Sequence, residues 1–222
     1  MPQFALLLST LVWGATFPAT KAALDQIHPF CFLFLRFLIG LLLTAGIVLV
    51  VRKRLQADRD MIRMSGIATV FLFLGYALQT AGLRYTTASN SAFITALYVV
   101  LVPLFLRRFQ GMIWLSAGLA LAGLWLLIYP SPPALPSLSM NVGDLMTVGC
   151  AAAFAAHIAC LETYTRKGDQ VSLFLWQLLF VTMALLPAML LEGPEAAQFT
   201  PTLVLVVGLA VTGVFATGAF AV

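Results

Sequence analysis

The stretch LQTAGLRYTTASNSAFITALYVVLVP, residues 78–103, decides the fold. It closes one apolar run, crosses a short polar turn and opens another. The turn holds Arg84, Tyr85, Thr86, Thr87, Ser89, Asn90 and Ser91, yet its flanks are too apolar for a hairpin lying in water. Polar side chains continue into both flanks, Gln79 and Thr80 before the turn and Thr95 and Tyr98 after it. In lipid such groups cost free energy unless they face a protein interior or a cavity. The hairpin is therefore expected to form one wall of a solute path.

The rest of the chain has the same character. Of its 222 residues, 62% are hydrophobic and 9% are charged, with a mean hydropathy of +1.02. Soluble domains carry about 25% charge, so a chain this apolar cannot cover a water-facing surface. A helical span needs about 20 apolar residues, whereas a membrane barrel needs short alternating segments. The runs here are long and continuous. The expected fold class is thus an all-α integral membrane protein with about eight transmembrane helices, at 4–24, 30–51, 64–85, 89–106, 111–129, 144–164, 171–191 and 201–222. The first run has no preceding basic residue and no clear small-residue cleavage site, so it reads as a span and not as a signal peptide.

The net charge of +4 is no nucleic-acid footprint, because the cations sit in short loops between spans. Arg52, Lys53, Arg54, Arg59, Arg63, Arg107, Arg108, Arg166 and Lys167 fall on one side, and only Lys21 and Arg84 on the other. The basic side is expected to be cytoplasmic. This places the N-terminus inside and the protein in the cell (plasma or inner) membrane. Cys31, Cys150 and Cys160 lie in apolar runs without a CxxC pattern and read as packing residues. Neither a metal site nor a cofactor is expected.

Residues 130–143 hold Pro130, Pro132, Pro133 and Pro136 and read as an extracytoplasmic linker. Five spans precede it, so the second half must enter the membrane from the opposite side, the arrangement of an inverted repeat. Trp13 and Arg36 stand at the same interval as Phe154 and Gln177, which also pairs Gly14 with Ala155 and LFLR at 33–36 with FLWQ at 174–177. The expected division is 1–129, a first repeat of about five spans, then the linker, then 144–222, a second repeat of about three spans.

Several polar groups are candidates for a solute cavity. Arg36 lies inside the second span, where its guanidinium needs a partner or a wet cavity. It reads either as an anchor for a carboxylate or as a side chain that snorkels to the outer interface or meets a neighbouring carbonyl. Trp13, Thr16 and Phe17 share one side of the first span, and Tyr76, Gln79 and Thr80 one side of the third. Each set fits cavity lining or helix packing, and Gln79 fits interhelical polar glue as well. Thr95 and Tyr98 could face Gln79, while Asn90 and Ser91 fit a helix cap. His157 is the mid-span imidazole, a carrier for a coupling proton or a neutral core histidine. Gln177, the counterpart of Arg36, is expected to share its cavity. Glu162 and Arg166 fit an i, i+4 surface ion pair. The substrate-cavity set is thus Trp13, Thr16, Arg36, Tyr76, Gln79, Thr95, Tyr98, His157 and Gln177.

These motifs resemble the drug/metabolite transporter superfamily, EamA type. Trp13-Gly14-Ala15-Thr16-Phe17 is similar to the family's opening motif, and Pro29 with Arg36-Phe37 to its second-span signature. The stretch 77–88 with Ala92-Phe93-Ile94 and Pro103 is similar to its most distinctive segment, and Gly143-Asp144 with Phe154-Ala155 to the opening of a second repeat. The resemblance implies ten helices in two inverted repeats and a secondary carrier, exporter or importer, of small organic metabolites or drugs. Against that pattern, this sequence lacks the last two helices and the Gly-Glu turn before the fifth span, so a C-terminally incomplete carrier is expected. The alternative is a chain inactive alone, or completed by a partner chain or by a second copy in a homodimer. An intramembrane enzyme ranks lower, because the spans hold no HExxH, no GxSxG and no paired carboxylates. No nucleotide-binding loop is present either.

Overall fold

A computed structural model describes residues 2–51, 55–128, 141–165 and 169–219. Arg52, Lys53, Arg54, Arg166, Lys167, the proline segment 130–140 and residues 220–222 lie outside the described residues. The described chain is all-helical. Its helices are α1 (Pro2–Ala23), α2 (Pro29–Val51), α3 (Arg59–Gly82), α4 (Ala88–Ala96), α5 (Tyr98–Phe105), α6 (Gly111–Ile128), α7 (Val142–Thr165), α8 (Gln170–Leu191) and α9 (Leu203–Leu209). A short 3-10 turn at Pro194–Ala197 precedes α9, which continues as a wider π-helical segment, Ala210–Ala219. With α4 and α5 taken as one interrupted rod, eight rods result. Five are long and apolar enough to cross a membrane: α2, α3, the α4–α5 rod, α7 and α8. Shorter apolar stretches lie at Gly111–Gly123 and Leu203–Thr217.

Local chemistry sets the helix starts. Pro29 opens α2, where a missing N–H costs nothing. Asp58 caps α3 by accepting the Met61 N–H at 2.8 Å, so α3 begins at Arg59, ahead of the expected start at Met64. Asp169 and Thr202 cap α8 and α9 in the same way. The α4 cap is Thr87, whose extended backbone lets its hydroxyl accept the Asn90 N–H at 3.1 Å. This corrects the expectation that Asn90 and Ser91 do the capping. Asn90 supplies the donor, and Ser91 is buried with its hydroxyl 3.5 Å from that of Thr147. The fourth span is also not one continuous helix. The Leu97 N–H bonds back to Ile94 O, and this tightened turn divides α4 from α5.

Polar contacts sort the helix ends onto two faces. On the first, Lys21 donates to Leu83 O at 2.5 Å, Thr86 donates to Asp144 at 2.5 Å, and Thr202 bonds Gln26. Glu192, at the end of α8, accepts the N–H groups of Phe30 and Cys31 at 3.1 Å each, satisfying the open start of α2. On the second face Gln56, just after α2, meets the start of α8: its N–H donates to Ser172 Oγ and its side-chain oxygen accepts the Asp169 N–H. Trp176 Nε1 donates to Gln56 O at 3.0 Å. Antiparallel α2 and α8 therefore cap one another at both ends. Arg108 pairs with Glu162 across α5 and α7 on this second face. The Glu162–Arg166 pair expected from the sequence involves Arg166, which lies outside the described residues.

The core forms around α2. Leu33 and Phe37 pack with Leu72 of α3 and with Leu178, Val181 and Leu185 of α8. Where helices touch most closely, glycine makes room. A Cβ on Gly40 would stand 2.6 Å from Thr217 Cγ2, and one on Gly75 would stand 2.5 Å from the Phe154 ring. Large apolar side chains such as Leu49, Val50, Leu119 and Leu190 face outward, as lipid contact requires.

Candidate functional site

Arg36 is at the centre of the most unusual cluster. It lies seven residues into α2, roughly 10 Å from the helix start at 1.5 Å per residue, and is only 4% exposed. Its Nη2 donates to Tyr76 Oη at 3.3 Å and its Nε to Thr217 Oγ1 at 3.3 Å. The guanidinium carbon lies 4.5 Å from the Tyr76 ring centroid and 5.6 Å from that of Phe37, both within cation–π range. Arg36 therefore points into the bundle between α2, α3 and the π-helical segment, and does not snorkel. Tyr76 is itself clamped edge-on between Phe37, at 5.0 Å, and Phe154 of α7, at 5.1 Å.

All eight carboxylates of the chain are described, and none lies in mid-span. Asp58, Asp144, Asp169, Glu162 and Glu192 sit at helix ends, Asp60 in the first turn of α3, and Asp25 and Glu195 between helices. Among the described residues no ion pair joins Arg36 to any of them. Its partners are two neutral hydroxyls and two aromatic faces.

A second pair lies one turn along α7 from Phe154. His157 Nε2 donates to Gln177 Oε1 at 2.8 Å, and Gln177 Nε2 reaches Leu173 O at 3.4 Å. A third group joins α3, α4 and α7: Gln79 Nε2 donates to Thr95 Oγ1 at 3.3 Å, with Cys150 Sγ 4.0 Å from the same hydroxyl. Gln79 and Thr95 are thus interhelical glue in this conformation. Tyr98 is half-buried at the α4–α5 break and takes no part in the Gln79–Thr95 bond. Trp13 is 56% exposed, with its indole N–H on Ala216 O at 3.3 Å. Thr16 turns its hydroxyl back to Trp13 O at 2.6 Å, within its own helix. Nine candidate positions thus fall into separate groups, and α3 and α7 connect the Arg36, His157 and Gln79 groups.

Thr217 was not anticipated. A threonine in a run of small residues reads as packing, and only its spacing from Tyr76 distinguishes it. Tyr76 and Thr217 are 141 positions apart, as are Arg36 and Gln177, Trp13 and Phe154, and Thr16 and His157. The same offset carries the Gly75–Phe154 contact onto the Trp13–Ala216 contact.

An all-helical architecture of long apolar rods with polar groups buried between them defines a polytopic membrane protein. Residues 1–129 match the EamA-like transporter family, and the chain belongs to that family, within the drug/metabolite transporter superfamily. Among curated relatives, it is 35% identical to an uncharacterized transporter of Archaeoglobus fulgidus, over 79% of this chain and 53% of that one. It is 30% identical to the uncharacterized transporter YvbV of Bacillus subtilis, over 76% of this chain and 50% of that one. The chain thus spans about half the length of these relatives. A solved crystal structure with 16% identity superposes with a TM-score of 0.73, over 98% of this chain and 75% of the other, and so shares its fold.

Proposed function

We propose that the chain acts as a secondary carrier of small organic solutes, by alternating access between two inverted repeats at 1–129 and 144–222 joined by the 130–143 linker. The N-terminus is cytoplasmic in this reading, and the chain performs no catalysis. The observation that carries it is the buried Arg36 cluster, an ionisable group inside the membrane with only neutral partners. Such groups mark solute or ion pathways. The 141-residue offset supports the division into repeats, because contacts map onto contacts under it. Helix ends gathered into two polar faces supply the elements that would open and close in turn. The names of the relatives, all transporters, agree with this activity.

The test is reconstitution of the full chain into proteoliposomes, with flux measured for a panel of carboxylates, amines and neutral solutes. Saturable flux above empty vesicles is expected. A folded, helical chain with no flux for any class overturns the reading for this chain alone. The alternative is a carrier completed by a partner chain or second copy. It predicts flux only from particles whose measured mass exceeds one chain. A proton-coupled cycle, with His157 as the carrier group, predicts that an imposed pH gradient drives accumulation and that H157Q abolishes this drive.

A further inference from the structure

We infer that Arg36 is the recognition point for a small organic monoanion, a carboxylate on an apolar or aromatic body. The inference rests on the carrier reading for access to the site, but binding itself can be measured without transport.

The charge is the first part of the case. A guanidinium stays protonated in proteins, and this one is buried where no carboxylate of the chain neutralises it. A ligand bearing one negative charge restores neutrality there. A second negative charge finds no second fixed cation, since Arg36 is the only buried Lys or Arg among the described residues. A cationic ligand is repelled.

The geometry is the second part. Both hydrogen bonds to Arg36 are 3.3 Å long, outside the 2.7–3.2 Å typical of N–H···O bonds. A carboxylate takes guanidinium donors at about 2.7–2.9 Å and in bidentate fashion. Tyr76 and Thr217 are thus weak neutral occupants of donors that an anion holds better. The third part is the surrounding surface. Phe37, Tyr76 and Phe154 form a continuous edge-to-face set beside the guanidinium, matching a hydrocarbon or ring attached to the anionic group.

The experiment is binding to the purified full chain in nanodiscs, followed by tryptophan fluorescence and thermal stabilisation. The probes are benzoate, benzyl alcohol, benzylamine and phthalate. Benzoate is expected to bind at least about tenfold more tightly than benzyl alcohol, the loss expected for a hydrogen-bonded charge. Phthalate and benzylamine are expected to be weaker than benzoate. R36Q is expected to erase the preference and R36K to retain part of it. Because R36Q changes a buried position, Y76F and T217V provide a second arm: each keeps the charge and frees a guanidinium donor, so each should widen the benzoate preference, and a preference lost in either folded variant overturns the inference. Equal binding of benzoate and benzyl alcohol, or a benzoate preference that survives in folded R36Q, overturns the inference. Flux of neutral solutes without anion preference leaves the carrier reading standing and this inference refuted. Arg36-dependent benzoate binding without any flux does the reverse.

Discussion

Tyr76 and Thr217 hold the Arg36 guanidinium from two sides, and they are separated by the same 141 residues that separate Arg36 from Gln177. One charged side chain thus bridges two positions that correspond under a single gapless offset. The contrast lies at the position that does the bridging, arginine in one half and glutamine in the other. Along that offset the chain carries one charge where identical residues would carry two or none.

Because Tyr76 and Thr217 share one partner, their loss should not be additive. Both bonds are long, at 3.3 Å, so each is expected to contribute about 0.5–1.5 kcal/mol, and Y76F and T217V should each lower the thermal midpoint modestly. In the double variant the coupling energy is expected to differ from zero by at least about 0.5 kcal/mol. Thermal unfolding of the four proteins in one detergent gives the cycle, and strict additivity would show that the two hydroxyls act independently.

The α3–α7 contact at Gly75 should be intolerant of even one carbon. A Cβ there stands 2.5 Å from Phe154 Cε1, and the ring cannot retreat freely because Tyr76 is set edge-on against it at 5.1 Å. G75A is expected to destabilise by about 1–3 kcal/mol, the usual cost of overpacking. The G75A/F154L double variant should recover part of that loss. A G75A protein as stable as wild type would mean that α3 and α7 separate easily.

Much of the architecture could be read from apolar run lengths. The number of helical rods, the polar intervals in α3 and the unusual setting of Arg36 all follow from the cost of placing polar groups in lipid. Which partner each group chooses does not. Gln79 could bond Thr95 or line a path, and only the crossing of α3 and α4 decides it. Trp13 fits cavity lining or helix packing by sequence, and its outward position here depends on how α1 is rotated against the π-helical segment. The α4 cap passes to Thr87 because Thr87 has the extended backbone (φ −81°, ψ 155°), a property not encoded by residue type alone. The reciprocal capping of α2 and α8 is also hidden in sequence, since Glu192 and Gln56 look like ordinary loop residues until the two helices are laid antiparallel.

That capping gives another prediction. Glu192 is the side-chain acceptor of two N–H groups at the start of α2, those of Phe30 and Cys31. E192A leaves both to solvent or unmet, at a cost of about 0.5–2 kcal/mol by analogy with cap removal. E192Q keeps one acceptor oxygen and should lie between E192A and wild type. Amide exchange at Phe30 and Cys31, measured by mass spectrometry, should speed up in the same order. Unchanged exchange in E192A would show that the α2 start does not depend on this carboxylate.

The Asp58 cap should make the second polar face sensitive to acid. Its carboxyl is held below the ordinary carboxylate range, first by the Met61 N–H and then by the Gln56 amide. A group whose pKa is lowered on folding adds stability that is fully present above its unfolded value, about 3.9, and lost as pH falls through the folded value. The stability gap between wild type and D58A should therefore be constant near neutrality and shrink as pH is taken below about 3.9. A gap independent of pH down to the acid limit would mean that the charge on Asp58 plays no part in its cap.

Thr44 offers the opposite case, a polar atom whose removal should help. Its side chain is fully buried on the α2 stripe that includes Arg36 and Gly40, and among the described residues its hydroxyl is the buried side-chain polar atom with no hydrogen-bond partner. A buried hydroxyl left unmet costs about 1–3 kcal/mol. Valine replaces it with a methyl of similar size and keeps the β-branched shape. T44V is therefore expected to hold or raise the thermal midpoint, where a buried Thr with a bonded hydroxyl would lose stability on the same change. Thr182, whose hydroxyl donates to Leu178 O at 2.7 Å, is the internal control: T182V should be the less stable of the two. If T44V is instead the worse variant, the Thr44 hydroxyl has a partner in the membrane, such as a bound water or the solute itself, and flux measurements on T44V would then separate those two.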